Sequence, residues 1–142
     1  MAASFPMAIS VLVDAGFLVA LLSRRDSNHA WAAGAATRHV PPWKTCEAAL
    51  SEAFFLLGPR GTPALAALIR HGAVICPHNT GEDFDAIRGM MHKYRNVPIS
   101  MADACLVRMT ETPGGAVLFA TDSDFRIYRR HGRKTIACVL PG

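Results

Sequence analysis

Four acidic side chains stand out in this sequence because their neighbours along the chain are mostly apolar. Asp14 and Asp122 directly follow the segments VLV and LFAT, and Glu52 and Asp103 lie within CEAALSEAFFLL and SMADACLV. A carboxylate among apolar side chains needs a partner, and a cation can serve. Carboxylate oxygens suit hard divalent cations, so the four acids predict a Mg²⁺ or Mn²⁺ site if the fold brings them together.

Each of the three aspartates also has a purely structural interpretation. Asp14 and Asp122 could cap the helices that follow them. Asp103 stands three residues after Ser100, a spacing that resembles a capping box. That spacing places Asp103 in a first helical turn, where the helix dipole stabilises its charge. The metal-binding interpretation is favoured because several such acids occur in one chain.

Two glutamates compete for the fourth place in the site. Glu47 and Glu52 are five residues apart on one apolar helix, about 140° around its axis, so they are not expected to share a site. Phe55 and Leu56 stand three and four residues after Glu52, which predicts that its face turns inward. Glu47 lies in the first turn, which is typical of a surface acid that stabilises the helix dipole. We therefore assign the site role to Glu52.

Short apolar runs alternate with helical patterns along the whole chain. The predicted strands are 9–13, 73–76, 116–120 and 134–140, and the predicted helices are 15–22, 28–38, 45–57, one opening at 62, 81–95, 101–111 and 123–130. This alternation predicts one α/β domain over residues 1–142, with a mostly parallel sheet covered by helices on both faces. Ligands of such sheets bind beyond the carboxyl ends of the strands, where Asp14 and Asp122 would lie.

Four segments in order resemble the signature segments of PIN domains: VDAGFLVALL, SEAFFLL, ISMADACLV and ATDSDF. PIN domains are metal-dependent ribonucleases and include the VapC-type toxins of toxin–antitoxin pairs. The resemblance implies a three-layer α/β/α sandwich around a parallel sheet of about five strands. It implies an Mg²⁺- or Mn²⁺-dependent endoribonuclease that acts on RNA, with an antitoxin as a possible partner and a homodimer as its expected state.

The resemblance also assigns roles to individual residues. Asp14, Glu52, Asp103 and Asp122 match the catalytic, metal-binding acids, and Asp124 matches a less regular metal ligand. Thr121 matches a small hydroxyl residue before the last acid. Gly16 departs from the pattern, because many members have Ser or Thr at that position, so a hydroxyl contact is missing there.

A basic segment follows Asp122 directly. Its five positive charges within nine residues are Arg126, Arg129, Arg130, Arg133 and Lys134. They could bind RNA phosphates beside the metals, or they could form a solvated surface; the sequence leaves both open. Arg24 and Arg25 could flank the same cleft.

Composition limits the remaining function classes. The chain has 142 residues, is 51% hydrophobic and carries a net charge of +4, which excludes intrinsic disorder and permits a polyanionic partner. Its four cysteines form no CxxC pair, so a structural zinc site is not expected. The N-terminal segment MAASFPMAIS lacks the basic stretch of a signal peptide, and the longest apolar run is too short to span a bilayer. These features predict a cytoplasmic protein without a membrane segment.

Two other functions stay open on the sequence alone. One is a PIN-like module that binds RNA or a protein without cutting. The other is a phosphoryl-transfer domain, which the first strand disfavours because VDAG lacks the Asp-x-Asp pair of such enzymes. No Walker loop or GxGxxG is present, so a nucleotide cofactor is not expected.

Overall fold

The computed structural model describes residues 8–142. Residues 1–7, which make up most of the segment inspected for a signal peptide, lie outside that range. The strands are β1 Ser10–Val13, β2 Trp43–Lys44, β3 Val74–Ile75, β4 Ala116–Phe119, β5 Arg129–Arg130, β6 Lys134–Thr135 and β7 Cys138–Val139. The helices are α1 Ala15–Leu22, α2 His29–Arg38, α3 Glu47–Arg70, α4 Phe84–Lys93, α5 Met101–Thr110 and a short 3-10 helix at Ser123–Arg126.

Five strands form a parallel sheet in the order β3-β2-β1-β4-β7. In the centre β1 lies beside β4, with Ser10 opposite Ala116 and Val13 opposite Phe119. The prediction of a parallel sheet of about five strands is confirmed. Because β1 and β4 are direct neighbours in register, the residues that follow them emerge side by side.

Helices cover both faces of the sheet, and each face has its own core. Successive residues of a strand point to opposite faces. Leu12 and Leu118 pack with α4 and α5, whereas Val13 and Phe119 pack with residues of α1, α2 and α3. The predicted three-layer α/β/α arrangement is therefore present. It explains why these strands are apolar without alternation.

The structure differs from the predicted elements around α3. The two helices predicted at 45–57 and from 62 onward are present within α3, and they meet at the predicted break, where Gly58 has a non-helical φ of 66° and ψ of −171°. What differs is the capping. The sequence predicts Thr62 as the cap of the second helix, but its hydroxyl donates to the Gly58 carbonyl at 2.9 Å. The sequence predicts Thr45 as the cap of the first helix, but its hydroxyl donates to the Val13 carbonyl at 2.7 Å and Cys46 occupies the cap position. Thr45 therefore bonds to a residue that is distant in the sequence instead of capping its own helix.

The C-terminal region also differs. The strand predicted at 134–140 is divided into β6, which pairs with β5, and β7, which pairs with β4, and the buried Ile136 lies between them. The helix predicted at 123–130 is only one 3-10 turn, after which β5 pairs antiparallel with β6. The sequence predicts residues 43 and 44 as extended chain without assigning a strand, and in the structure they form β2. Within residues 8–142, no helix is both long and apolar enough to cross a bilayer.

Candidate functional site

All four predicted acids line one cavity of about 360 Å³ at the carboxyl ends of β1 and β4. They reach it from four different places in the fold: the ends of two neighbouring strands, the middle of α3 and the first turn of α5. The acids are Asp14, Glu52, Asp103 and Asp122. The tertiary structure thus brings together residues that are up to 108 positions apart in the sequence.

Asp14 is the most firmly held of the four. Its side chain is 5% exposed, and its two carboxylate oxygens accept hydrogen bonds from different elements. Oδ1 accepts from the backbone N–H of Phe17 at 2.7 Å, and Oδ2 accepts from the backbone N–H of Thr121 at 3.1 Å. The capping interpretation of Asp14 is correct, but the same carboxylate also ties β1 to the segment after β4 and lines the cavity.

Asp122 and Asp103 likewise combine a local role with a place in the cavity. Oδ1 of Asp122 accepts from the Asp124 N–H at 2.8 Å and so caps the 3-10 helix. The N–H of Asp103 donates to the Ser100 hydroxyl at 3.0 Å, as the capping spacing predicts. Since that bond uses only the backbone of Asp103, its carboxylate is free to face the other acids.

Glu52 reaches the cavity for a reason other than the predicted one. The sequence predicts that Phe55 and Leu56 turn inward, but they are 84% and 54% exposed. The buried face of this part of α3 carries Ala49 and Ala53, and Glu52 lies at the edge of that face and is itself exposed. Because the helix is apolar nearly all round, its sequence could not show which side would be covered.

The carboxylates act on one another electrostatically. Burial, partly offset by the two backbone hydrogen bonds, raises the pKa of Asp14 to about 6, and the charges of Asp122 and Glu52 add to that rise. Burial raises the pKa of Asp103 to about 7, with further contributions from Asp122, Asp14, Glu52 and Asp124. The site therefore concentrates negative charge that a cation would neutralise.

These raised pKa values give a first testable expectation for the metal-free protein. An acid whose pKa is higher folded than unfolded binds more protons when folded, so its ionisation opposes folding. In EDTA, the melting temperature should therefore fall as pH rises from about 4 through about 7, and the Asp103→Asn variant should show a weaker decline. Below pH 4 the trend should reverse, because a hydrogen bond from Arg108 lowers the pKa of Asp83 to about 2. A melting temperature that is flat or rising between pH 4 and 7 would contradict the assignment.

The donor set of the cavity fits a hard divalent cation. All four side chains offer carboxylate oxygens, the ligands that Mg²⁺ and Mn²⁺ prefer, and their mutual repulsion gives a cation a clear electrostatic benefit. Within residues 8–142, no three His, Cys, Asp or Glu side chains are already arranged to hold a metal ion. Binding would thus draw together carboxylates that already line one cavity.

Gly16 and Thr121 are complementary across this cavity. A Cβ atom placed on Gly16 would stand 1.8 Å from Oγ1 and 2.9 Å from Cβ of Thr121. The space that a side chain at position 16 would need is therefore filled by the Thr121 hydroxyl, which is itself among the cavity-lining residues. The Thr121 hydroxyl, from the end of the neighbouring strand, thus occupies the place of a side chain at position 16. Both positions stand out in the sequence, but nothing in the sequence signals that they touch.

The predicted basic segment lies elsewhere. None of its five residues is among those that line the carboxylate cavity. The guanidinium of Arg129 donates to the carbonyls of Arg126, Ile127 and Tyr128, at 2.7, 3.0 and 3.2 Å. Arg126, Arg133 and Lys134 are exposed. Binding of RNA by this segment remains a prediction.

The remaining residues that the sequence proposed for the site are Asp124 and the two arginines after α1. Asp124 does not line the cavity, although its charge contributes to the raised pKa of Asp103. Arg24 and Arg25 line a second cavity together with Arg60, a residue that sequence reasoning did not single out. The break at Gly58-Pro59 just before Arg60 was the one sequence signal that could have drawn attention to it.

The arrangement of sheet and helices matches a known structure. Mycobacterium tuberculosis VapC20, a toxin that cleaves the sarcin–ricin loop, superposes with a TM-score of 0.71 and 26% sequence identity, over 81% of this chain and 92% of that one. The chain has a VapC-like PIN fold. No protein-family model and no curated protein sequence matches the chain. The PIN resemblance of the four sequence segments is thus confirmed by tertiary structure, where whole-sequence comparison finds nothing.

Proposed function

We propose that this protein is a metal-dependent endoribonuclease that hydrolyses RNA phosphodiester bonds, and that it is the toxin of a type II toxin–antitoxin pair. The observation that carries the proposal is the convergence of Asp14, Glu52, Asp103 and Asp122 on one cavity at the strand ends of a VapC-like PIN fold. The structural likeness to a toxin that cleaves the sarcin–ricin loop supports RNA as the substrate class.

The four carboxylates would hold Mg²⁺ or Mn²⁺, with Asp124 close to them. Such an ion, when bound, lowers the pKa of a coordinated water and stabilises charge on phosphoryl oxygens. Asp14 is oriented for this role by the backbone N–H groups of Phe17 and Thr121. The Thr121 hydroxyl, which fills the space beside Gly16, can donate a hydrogen bond to a phosphate oxygen in the cavity.

The proposal includes partners. Phe55 and Leu56 expose large apolar side chains on α3, close to Glu52, which supports contact with a protein partner. We propose an antitoxin as the partner at this surface and a second copy of the chain as a further partner, both in the cytoplasm. The presence of all four acids favours the enzyme over a PIN-like module that binds without cutting.

Cation binding should stabilise the folded protein. A ligand that binds only the folded state raises its stability in proportion to the logarithm of ligand concentration over Kd. We expect Mn²⁺ or Mg²⁺ to raise the melting temperature of the wild type, measured by differential scanning fluorimetry, and to leave that of Asp103→Asn nearly unchanged. Asp85→Asn, an exposed acid on α4, is the matched control and should respond like the wild type. An equal shift in all three proteins would remove Asp103 from the ligand set.

The proposed activity itself is tested by incubating the purified full chain with single-stranded and structured RNA in Mg²⁺ or Mn²⁺. Cleavage that stops on addition of EDTA supports the proposal. RNA that stays intact in every metal condition, from a protein that is folded and binds the cation, favours the non-cleaving module.

A further inference from the structure

A second cavity, of about 410 Å³, lies between the end of α1 and the kinked middle of α3. Arg24 and Arg25 enter it from the turn after α1, and Arg60 enters it from the segment just after the Gly58 kink. Leu22 and Leu57 are among the apolar residues that also line it. The cavity lining therefore combines three arginines with apolar residues. We call it the arginine cavity.

The three guanidinium groups have no opposite charge of their own. Within residues 8–142, none of them forms an ion pair with a carboxylate; the arginine that does is Arg108, which contacts Asp83 and Glu111 at 2.7 and 2.8 Å. Three exposed cations around one concave surface repel one another unless an anion lies between them. Planar guanidinium groups match the oxygen geometry of a phosphate, so phosphate is the anion this cavity fits best.

The arginine cavity adjoins the carboxylate cavity. Leu56 lines both. Helix α1 begins at the Asp14 cap and ends at Leu22, and Glu52 is eight positions before Arg60 on α3. At 1.5 Å per residue, the eight residues of α1 span about 12 Å. The path from Glu52 to Arg60 is interrupted by the non-helical residue Gly58. In both segments an acid of the carboxylate cavity thus precedes an arginine of the arginine cavity along the chain: Asp14 before Arg24, and Glu52 before Arg60.

We propose that Arg24, Arg25 and Arg60 bind a backbone phosphate of the RNA strand on one side of the scissile bond, and so hold the strand across Leu56 into the carboxylate cavity. This inference rests on the proposed function, and it names the residues that position its substrate. A phosphate contact supplies affinity and register without reading sequence. The three arginines are positioning residues and take no part in bond cleavage.

The test compares the triple variant Arg24→Gln, Arg25→Gln, Arg60→Gln with a control of equal charge change, Arg38→Gln, Arg70→Gln, Arg88→Gln. The control arginines are exposed and line neither cavity. The probe is a fluorescently labelled single-stranded RNA oligonucleotide, and its affinity is measured in EDTA, so that nothing is cut, over a series of salt concentrations. We expect the cavity variant to bind about tenfold more weakly or worse. We also expect its salt dependence, the slope of log K against log salt, to be shallower by about 0.7 for each phosphate that it no longer neutralises.

Kinetics and a modified substrate supply the second readout. With Mg²⁺ present, the cavity variant should show a raised KM and an unchanged kcat, the pattern of weakened substrate binding. When the phosphate that the arginines bind is replaced by a neutral methylphosphonate, wild type and cavity variant should bind that RNA equally.

Three results would overturn the inference: unchanged RNA affinity, a decrease equal to that of the control triple, or a lowered kcat at unchanged KM. Failure of the proposed function has a different signature. In that case the wild type leaves every RNA uncut, whereas the affinity measurement in EDTA still separates the two triple variants.

Discussion

Asp103→Asn should abolish RNA cleavage, lowering the rate by more than about 100-fold. Loss of a group that merely orients a metal ligand typically costs 10- to 100-fold, so loss of a ligand itself should cost more. Asp103 faces Asp14, Glu52 and Asp122 across the cavity, and burial together with their charges raises its pKa to about 7. The measurement is the initial cleavage rate of one labelled RNA in Mg²⁺, with and without EDTA.

The Asp103→Asn variant removes the negative charge of residue 103 and is expected to keep the fold. Asn has nearly the same shape as Asp, and the helix cap uses the backbone N–H of residue 103, which the change retains. Because the carboxylate is partly buried among other acids, its removal should leave the melting temperature in EDTA unchanged or higher. Asp85→Asn should cleave at the wild-type rate. Wild-type activity in Asp103→Asn, or equal inactivity in Asp85→Asn, would mean that this cavity does not carry the reaction.

Gly16→Ala should destabilise the protein by about 1–3 kcal/mol, the usual penalty for overpacking a filled space. The added methyl would meet Thr121 at 1.8 Å from Oγ1 and 2.9 Å from Cβ. Rotation of the hydroxyl alone cannot relieve the second contact, so the segment after β4 must shift. That shift would also weaken the hydrogen bond from the Thr121 N–H to Asp14, so cleavage should fall as well. Urea unfolding measures the first effect, and the RNA assay measures the second.

A double-mutant cycle tests whether contact with Thr121 causes the expected destabilisation by Gly16→Ala. Thr121→Ala removes Oγ1, the closest of the clashing atoms, so Gly16→Ala should be less destabilising in that background than in the wild type. A control substitution, Gly89→Ala, has no atom within 4 Å of the added Cβ. It lies inside α4, where alanine favours the helix, so it should stabilise the protein slightly. Equal costs for Gly16→Ala in both backgrounds would show that Thr121 does not occupy the space.

Much of the site could be predicted because its acids are set by local pattern. Asp14 and Asp122 end apolar strands, and in a parallel sheet such ends share one edge. The spacing from Ser100 to Asp103 marks a helix start without any tertiary information. Each of these features depends on a few neighbouring residues, so the sequence carries it in full.

The orientation of Glu52 could not be derived in the same way. Its helix is apolar on nearly every side, and burial is decided by what packs against it: Ala49 lies in the core cluster with α5, and Ala53 lies in the core cluster with α1. Phe55 and Leu56 therefore remain outside, against expectation. Likewise local chemistry assigns Thr45 to a cap, but its hydroxyl donates to the carbonyl of Val13, on another element.

The sequence by itself determined the alternation of strands and helices, the parallel sheet and the strand-end positions of Asp14 and Asp122, because hydrophobic periodicity and strand-end position are local properties. Only the tertiary structure decided where the positively charged side chains lie relative to those acids. It left the segment from Arg126 to Lys134 outside the carboxylate cavity, and it brought Arg60 beside Arg24 and Arg25. It also placed the Thr121 hydroxyl in the space beside Gly16. These are contacts between segments far apart in the chain, and their geometry depends on the packing of α1 against α3 and of β1 against β4.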